Sequence, residues 1–362
     1  MGSLTDRKIT IAVVGFGIIG PRHADAILKN DALTLVAVVE PMPQADTVAA
    51  AEKYGANFYL SLGDLLASSH KPDAAIVCTP NHTHVAIAKE LADAGVHMII
   101  EKPLCTDVGT GRELAAHLEE ARARSGVRTV VGHHRRFSPY AVATAKAVAS
   151  GSLGMIVGVN GLWSTLKPKS YFDAEWRRTK AGGPILINLI HDVDLLHSFL
   201  GPIVRVQADK AAPRRGFEAE EGAAIIFRFK SGAVGTFFIC DNVASPFGWE
   251  SGTGDDARLA HNGQDCYRIF GTDATLSVPD MTRWSYDGCA VKNWEGRMIS
   301  NQLEVDTEVA FERQLEHFVE VMRGQEEPRC TPEAGLAALI VCEAVKKSLE
   351  IEAPVDIESY NL

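Results

Sequence analysis

The sequence lacks the features of several large protein classes. No segment approaches the roughly 18 continuous apolar residues of a membrane span, so we expect no membrane association. Lys and Arg number 36 against 46 Asp and Glu, and the net charge of -10 leaves no obvious surface for a polyanion, so we expect no nucleic acid partner. The seven cysteines contain no C-x-x-C pair, which argues against a zinc site or a redox disulfide and predicts a reduced, cytoplasmic protein.

The composition present is that of a globular protein, with 46% hydrophobic and 23% charged residues. At roughly 100 to 200 residues per domain, 362 residues predict two domains. Apolar runs rich in β-branched residues alternate with helical patterns in the first third, which predicts an α/β, doubly wound parallel sheet of the Rossmann type. The predicted strands are residues 9–14, 33–39, 74–78, 96–100 and 129–131, and the predicted helices are 17–28, 43–54, 62–67, 83–94 and 108–124.

The pattern changes after about residue 132, where longer, half-polar segments predict a mainly antiparallel sheet. We therefore expect a first domain over residues 1–132 and an α+β domain over residues 133–362. Strands are predicted at 155–165, 223–230 and 233–240, with a hairpin turn from Lys230 to Ala233, and late helices at 309–323 and 332–349. Residues 244–264 are too long for an ordinary connection and are either a lid or a tolerated insertion.

A glycine-rich segment directly follows the first predicted strand. It has the G-x-G-x-x-G spacing and consists of Gly15, Phe16, Gly17, Ile18, Ile19 and Gly20. In such a segment the first glycine permits a tight turn, the second lets backbone amides approach a pyrophosphate, and the third lets helix and strand pack closely. The following helix N-terminus favours the negative charge of phosphates. The pattern predicts a dinucleotide site.

Glu40 supports this interpretation, because it ends the second predicted strand twenty residues after Gly20. A carboxylate there can accept hydrogen bonds from both hydroxyls of the adenosine ribose. It would also repel the 2′-phosphate of NADP, and no Arg or Lys follows before Lys53, so NAD is predicted and NADP is disfavoured. The alternative is that the glycines only form a turn and that Glu40 is a solvated strand end.

Further motifs occur in one order along residues 11 to 200. Glu101, Lys102 and Pro103 directly follow the predicted strand 96–100 and so lie at the carboxyl edge of the sheet, where such folds bind ligands. The remaining motif residues are Cys78, Thr79, Pro80, Asn81 and His84; Gly132, His133, His134, Arg135, Arg136 and Phe137; Trp176 and Arg177; Gly182 and Gly183; and His191 and Asp194. Together with the glycine loop, these motifs resemble the Gfo/Idh/MocA oxidoreductase family, named after glucose-fructose oxidoreductase and inositol dehydrogenase.

The resemblance implies a nucleotide-binding domain followed by a substrate-binding and oligomerisation domain with an open, mostly antiparallel sheet. It implies that Lys102 and His191 meet at the nicotinamide and that His134 and Asn188 lie beside the substrate. It further implies cofactor contacts from Cys78, Thr79, Pro80, Asn81, His84, Glu101 and Lys102. An open sheet has an outer face to cover, so a homodimer or homotetramer is expected.

These residues suit NAD-dependent oxidation of a secondary hydroxyl, or reduction of the matching carbonyl, in a sugar, inositol or related polyol. His191 is expected to act as acid and base, because an imidazole titrates near neutral pH. Lys102 is expected to stabilise negative charge on the reacting oxygen. The alternatives are a solvated lysine and a structural histidine at a helix start.

The sequence departs from the family at Ile187, where many members carry an Asp four residues before the histidine. Asp194 is one helical turn after His191 and is predicted to orient the imidazole instead. Asp192 is rotated about 100° away on such a helix and is the weaker candidate. A metal cluster of His191, Asp192, Asp194 and His197 is disfavoured by the spacing of the two histidines, so no metal is predicted.

Two different functions are also compatible with these residues. The same fold suits an NADPH-dependent carbonyl or imine reductase, and Ile187 leaves room for a cofactor-binding sensor without turnover. Residues 133–136 resemble a basic patch but are expected to divide between domain contacts and the pocket. Three tryptophans are candidates for stacking on sugar rings or for ordinary core positions, namely Trp163, Trp176 and Trp249.

Overall fold

The computed structural model describes Leu4, residues 7–43 and residues 47–360. The chain forms two compact units, the first from residues 1–137 and 308–337 and the second from residues 138–307 and 338–362. Among the described residues, no helix is both long enough and apolar enough to cross a membrane.

In the described part of the chain, the first unit is built on six strands and the helices between them. In chain order the elements are β1 Ile9–Val14, α1 Gly20–Leu28, β2 Leu33–Val39, α2 Thr47–Lys53, β3 Asn57–Tyr59, α3 Leu62–Ala67, β4 Ala74–Val77, α4 His84–Asp93, β5 His97–Ile100, α5 Val108–Ser125 and β6 Thr129–Val131. The strands are parallel and ordered β3-β2-β1-β4-β5-β6, which confirms the predicted doubly wound sheet.

The strand predictions for this unit hold because their apolar runs are buried on both faces of the sheet, as in β4 and β5. The short strand β3 was not predicted, since three partly exposed residues carry little hydrophobic pattern. Helix α1 begins at Gly20 rather than at residue 17, because the glycine loop occupies the intervening residues. Of the predicted helix 43–54, residues 44–46 lie outside the described part of the chain.

A late helix corrects the predicted domain division, which gave all of residues 133–362 to the second domain. Helix α9, Ala310–Met322, belongs to the first unit, as does the start of α10, Pro332–Ile351. Phe311, Leu315 and Phe318 are buried in the same hydrophobic cluster as β1 and α1. Burying this apolar face against the Rossmann core explains why the chain returns to the first unit.

The second unit contains a nine-stranded sheet with helices α6 Pro139–Ala149, α7 Ile190–Leu200 and α8 Trp249–Thr253. Its strands are β7 Ile156–Ser164, β8 Ile203–Lys210, β9 Gly222–Phe229, β10 Val234–Cys240, β11 Tyr267–Gly271, β12 Ala274–Val278, β13 Thr282–Ser285, β14 Ile299–Gln302 and β15 Val355–Asp356. They are ordered β14-β13-β12-β11-β7-β10-β9-β8-β15. Among the described residues, all pairs of this sheet are antiparallel except β7 with β10, which confirms the predicted α+β domain with a mainly antiparallel sheet.

Strands β9 and β10 alternate strictly between buried and exposed residues over most of their length. The exposed face carries Ile226, Val234 and Phe238, so one face of the sheet presents apolar side chains. A homodimer or homotetramer that covers this face stays a prediction.

The first half of the long segment 244–264 packs against the second unit, whereas residues 257–264 are exposed. Helix α8 lies within it, and Trp249 is fully buried, with its ring 6.0 Å from that of Tyr267. The indole Nε1 of Trp249 donates to Asp255, 3.0 Å away. These contacts anchor the first half of the segment in the second unit, and its role as a lid or a tolerated insertion stays a prediction.

Candidate active site

The glycine loop is shaped by two close backbone approaches and one open position. A Cβ on Gly15, whose φ is +90°, would lie 2.7 Å from the backbone of Cys78 and Thr79, and one on Gly20 would lie 2.5 Å from the Gly15 carbonyl oxygen. A Cβ on Gly17 would meet no described atom within 4 Å. Gly17 therefore leaves a cradle in front of the N-terminus of α1, and this geometry fits a pyrophosphate. Of the other loop residues, Phe16 is buried and Ile18 is exposed.

Glu40 is held against this loop at the end of β2. One carboxylate oxygen accepts the Phe16 amide at 2.9 Å, and the other accepts the Met42 amide at 3.1 Å. Each oxygen has a second lone pair for a further donor. The carboxylate is thus oriented beside the glycine loop with capacity left for further donors, and its contact with ribose hydroxyls stays a prediction.

The turn after β4 carries four of the predicted cofactor residues. Pro80 and Asn81 are exposed, and the Thr83 hydroxyl lies 2.7 Å from that of Thr79. His84 is buried, with its ring nitrogens 2.9 Å from the carbonyl oxygens of Pro103 and Thr79. Burial lowers the pKa of His84, although both carbonyls oppose this shift. Its imidazole therefore ties the turn after β4 to the turn after β5.

The turn after β5 contains a buried contact between a histidine and the carboxylate that precedes Lys102. The Nε2 atom of His23, on α1, lies 2.8 Å from a carboxylate oxygen of Glu101, and both side chains are buried. Burial alone would raise the pKa of Glu101, but the hydrogen bond from His23 and the charges of His23, His134 and Lys102 lower it to about 2. Glu101 is therefore a carboxylate at neutral pH and holds negative charge next to Lys102.

His23 was missed by the sequence analysis. Its signal was a polar residue on the otherwise apolar face of α1, among Ala24, Ala26 and Ile27. His134 lies in a helical turn, His134–Phe137, and stacks on Phe311 with ring centroids 4.5 Å apart.

In the second unit, a π-helical turn at Ile185–Leu189 leads into α7 and carries Ile187 and Asn188. π-Turns inside helices are frequent at functional sites. His191 and Asp194 are both buried and lie one turn apart on α7, and their pairing stays a prediction. Asp192 is fully buried and accepts a hydrogen bond from the Tyr267 hydroxyl, so it anchors α7 to the sheet.

A buried charge network adjoins this turn and was also missed. Lys167 Nζ lies 3.0 Å from Asn188 Oδ1 and 3.2 Å from Asp241 Oδ2. Asp241 is also bonded to Arg215, whose Nε is 3.4 Å from Glu221. Burial lowers the pKa of Lys167, although Asp241 opposes this. A lysine followed by a proline at a strand end gave no signal of these distant partners.

The structure also shows the surroundings of the predicted basic patch and of the three candidate tryptophans. His133 and Arg135 are each only 1% exposed, so residues 133–136 are not a solvated basic patch. Trp249 is a core residue, Trp163 is buried with its Nε1 3.2 Å from Glu250, and Trp176 is half exposed.

Comparison with known proteins identifies the class and then the family. Residues 9–129 match an oxidoreductase family described by its NAD-binding Rossmann fold, and residues 145–357 match its C-terminal alpha/beta domain. The protein is therefore a two-domain oxidoreductase with a nicotinamide cofactor. The chain belongs to the Gfo/Idh/MocA family, which confirms the resemblance predicted from its motifs.

Individual relatives are distant but cover most of the chain. It is 27% identical over 364 residues to inositol 2-dehydrogenase of Rubrobacter xylanophilus, covering 97% of this chain and 94% of the relative. It is 25% identical over 291 residues to 1,5-anhydro-D-fructose reductase of Ensifer adhaerens, covering 79% and 80%. The WlbA dehydrogenase of Bordetella pertussis, solved with NADH and UDP-GlcNAcA, superimposes with a TM-score of 0.77 at 26% identity and covers 97% of this chain and 98% of its own.

Proposed function

We propose that the protein is an NAD-dependent oxidoreductase that transfers hydride between nicotinamide and a secondary hydroxyl or carbonyl of a sugar, inositol or related polyol. The observation that carries this proposal is the gathering of the glycine loop, Glu40 and Lys102 at one edge of the parallel sheet. Carboxyl ends of parallel strands are where such sheets bind ligands. The similarity to inositol 2-dehydrogenase supports the substrate class.

In this proposal the chain's own groups manage charge and protons. The nicotinamide, when bound, supplies the hydride chemistry. His191 accepts the hydroxyl proton as the C–H hydride departs and the carbonyl forms, and Asp194 orients its imidazole. Lys102 donates a hydrogen bond to the same oxygen and stabilises its developing negative charge. Glu101, directly before Lys102 in the chain, is a carboxylate and supplies a negative charge beside this lysine.

The cofactor preference is tested by titration with NADH and NADPH. Tighter binding of NADH is expected, because Glu40 accepts ribose hydroxyls and repels a 2′-phosphate. Glu40→Ser should narrow the preference, and Glu52→Ser, at an exposed residue on α2, is a matched control. Equal or tighter NADPH binding by the native protein would reject the assignment to NAD and favour an NADPH-dependent carbonyl or imine reductase.

The substrate class is tested by following NADH formation at 340 nm with a panel of cyclitols, sugars and sugar acids. Turnover of at least one polyol or sugar is expected. If the protein binds NADH but neither oxidises nor reduces any compound of the panel, the result would instead support the alternative function, a cofactor-binding sensor without turnover.

A further inference from the structure

Lys167 occupies an unusual position for a lysine, because its side chain is only 8% exposed. Its ammonium group lies between the Asn188 amide oxygen, 3.0 Å away, and the Asp241 carboxylate, 3.2 Å away. It also lies 4.6 Å above the ring centre of Tyr171. Strands β7 and β10 are parallel neighbours, so the segments after them, which carry Lys167 and Asp241, meet at one edge of the sheet.

The surrounding charges hold Lys167 in place. Asp241 is only 2% exposed and also bonds to Arg215, which in turn contacts Glu221. Glu221 accepts the backbone amides of residues 214 and 215 at 3.0 and 2.6 Å. The two cations and two carboxylates therefore alternate, and a buried network of this kind is rigid when its members are paired.

This arrangement determines which way the Asn188 amide points. An ammonium group has three donors and no acceptor, so only the amide oxygen of Asn188 can face it. Because Lys167 binds the amide oxygen of Asn188, the NH2 group of the same amide, which carries two donors, points in a different direction. Asn188 is half-buried and retains access for a ligand.

Asn188 precedes His191 by three residues, across the junction between the π-turn and α7. Both side chains therefore belong to one continuous helical segment of the second unit. A donor at Asn188 therefore accompanies the proposed acid and base at His191, and the two groups suit two oxygens on neighbouring carbons of one ligand.

We propose that Lys167 is a positioning residue that orients the Asn188 amide to donate to a second substrate oxygen, beside the oxygen that reacts. The site thereby selects vicinal diols and the matching hydroxycarbonyl products. This inference rests on the proposed oxidoreductase function. The substrate group on the carbon next to the reacting one must therefore be a hydrogen-bond acceptor.

The test compares the best polyol substrate with its deoxy analogue, which lacks the neighbouring hydroxyl, in steady-state kinetics of the full-length protein. Asn188→Asp still accepts from Lys167 but offers no donor, and it should raise KM for the diol about tenfold, the value of one hydrogen bond, with little change in kcat. KM for the deoxy analogue should change by less than about twofold. Lys167→Met should act in the same way, because it releases the amide orientation.

Two further comparisons distinguish a positioning role of Lys167 from a general loss of stability or folding. Lys169→Met, at an exposed lysine two residues along, should leave both values of KM unchanged. The double variant Lys167→Met with Asn188→Asp should be no worse than either single variant, since both remove the same donor. Melting temperatures identify any variant that fails to fold. If Lys167→Met does not fold, Asn188→Asp, which keeps the contact with Lys167, tests the inference by itself.

An Asn188→Asp enzyme with native KM for the diol would overturn the inference while its turnover upheld the proposed function. Equal losses on the diol and the deoxy analogue would also overturn it. A native protein that turns over no polyol or sugar would overturn the proposed function, and the inference with it.

Discussion

Gly17→Ala should remove dinucleotide binding without destabilising the protein. The new Cβ would meet no described atom within 4 Å, so it costs no packing energy in the free protein. Gly17 also lies outside the left-handed region, and alanine at a compatible glycine position raises the free energy of unfolding by about 0.4 to 1 kcal/mol. The same methyl group would occupy the cradle that the phosphates need.

Gly15→Ala, at the first glycine of the same loop, should have the opposite effect on stability. In Gly15→Ala the Cβ would lie 2.7 Å from backbone atoms of Cys78 and Thr79, at a φ of +90°. The positive φ costs roughly 1 to 2 kcal/mol and overpacking roughly 1 to 3 kcal/mol. At about 2 to 4 °C per kcal/mol, Gly15→Ala should lower Tm by about 4 to 20 °C, whereas Gly17→Ala should leave Tm unchanged or raise it by a few degrees.

The assay combines thermal unfolding without cofactor and calorimetric titration with NADH. Gly17→Ala should weaken NADH binding at least about 100-fold, equivalent to about 2.8 kcal/mol. Gly63→Ala, at an exposed position of α3 in the same unit, controls for the effect of a glycine substitution alone, because Gly63 has no positive φ and its added Cβ would lie 3.8 Å from Glu90 Oε1, an ordinary contact distance. NADH binding by Gly17→Ala within about threefold of native, with an unchanged Tm, would refute the placement of the phosphates in this loop.

Three other predictions concern charge and proton transfer. Lys102→Met should lower kcat at least about 100-fold while NADH binding stays within about tenfold, and near-native turnover would contradict its role. Asp194→Asn should lower kcat nearly as much as His191→Ala, and fully additive losses in the double variant would exclude their coupling. Burial raises the pKa of Asp73, but Arg7 and two contacts from Thr10 lower it to about 2. Its stabilisation is therefore present above about pH 4 and lost as the pH falls towards about 2, so Asp73→Asn should lower Tm by a few degrees at about pH 7 and not at about pH 2, and an equal loss at both would contradict this.

Much of the first unit follows from local sequence. Buried β-branched runs predict the parallel strands, since both faces of such a sheet are covered and no alternation is needed. The dinucleotide site is equally local, because the glycine loop and Glu40 lie at neighbouring strand ends whose separation is set by a single helix. Motif spacing therefore predicted both the family and the first half of the candidate site.

The tertiary structure decided what depends on partners distant in the chain. Helix α9 was predicted as a helix, but its amphipathic pattern does not say which core it covers, and it packs in the first unit. His23 pairs with Glu101 across 78 residues, and Lys167 reaches Asp241 and Asn188 from a different strand end. Hydrophobic periodicity records which face of an element is buried, whereas the partner of a buried polar group depends on how the elements are packed. The sequence by itself therefore predicted Asn188 as a substrate residue. Only the packing of the second unit determined that its amide oxygen faces Lys167.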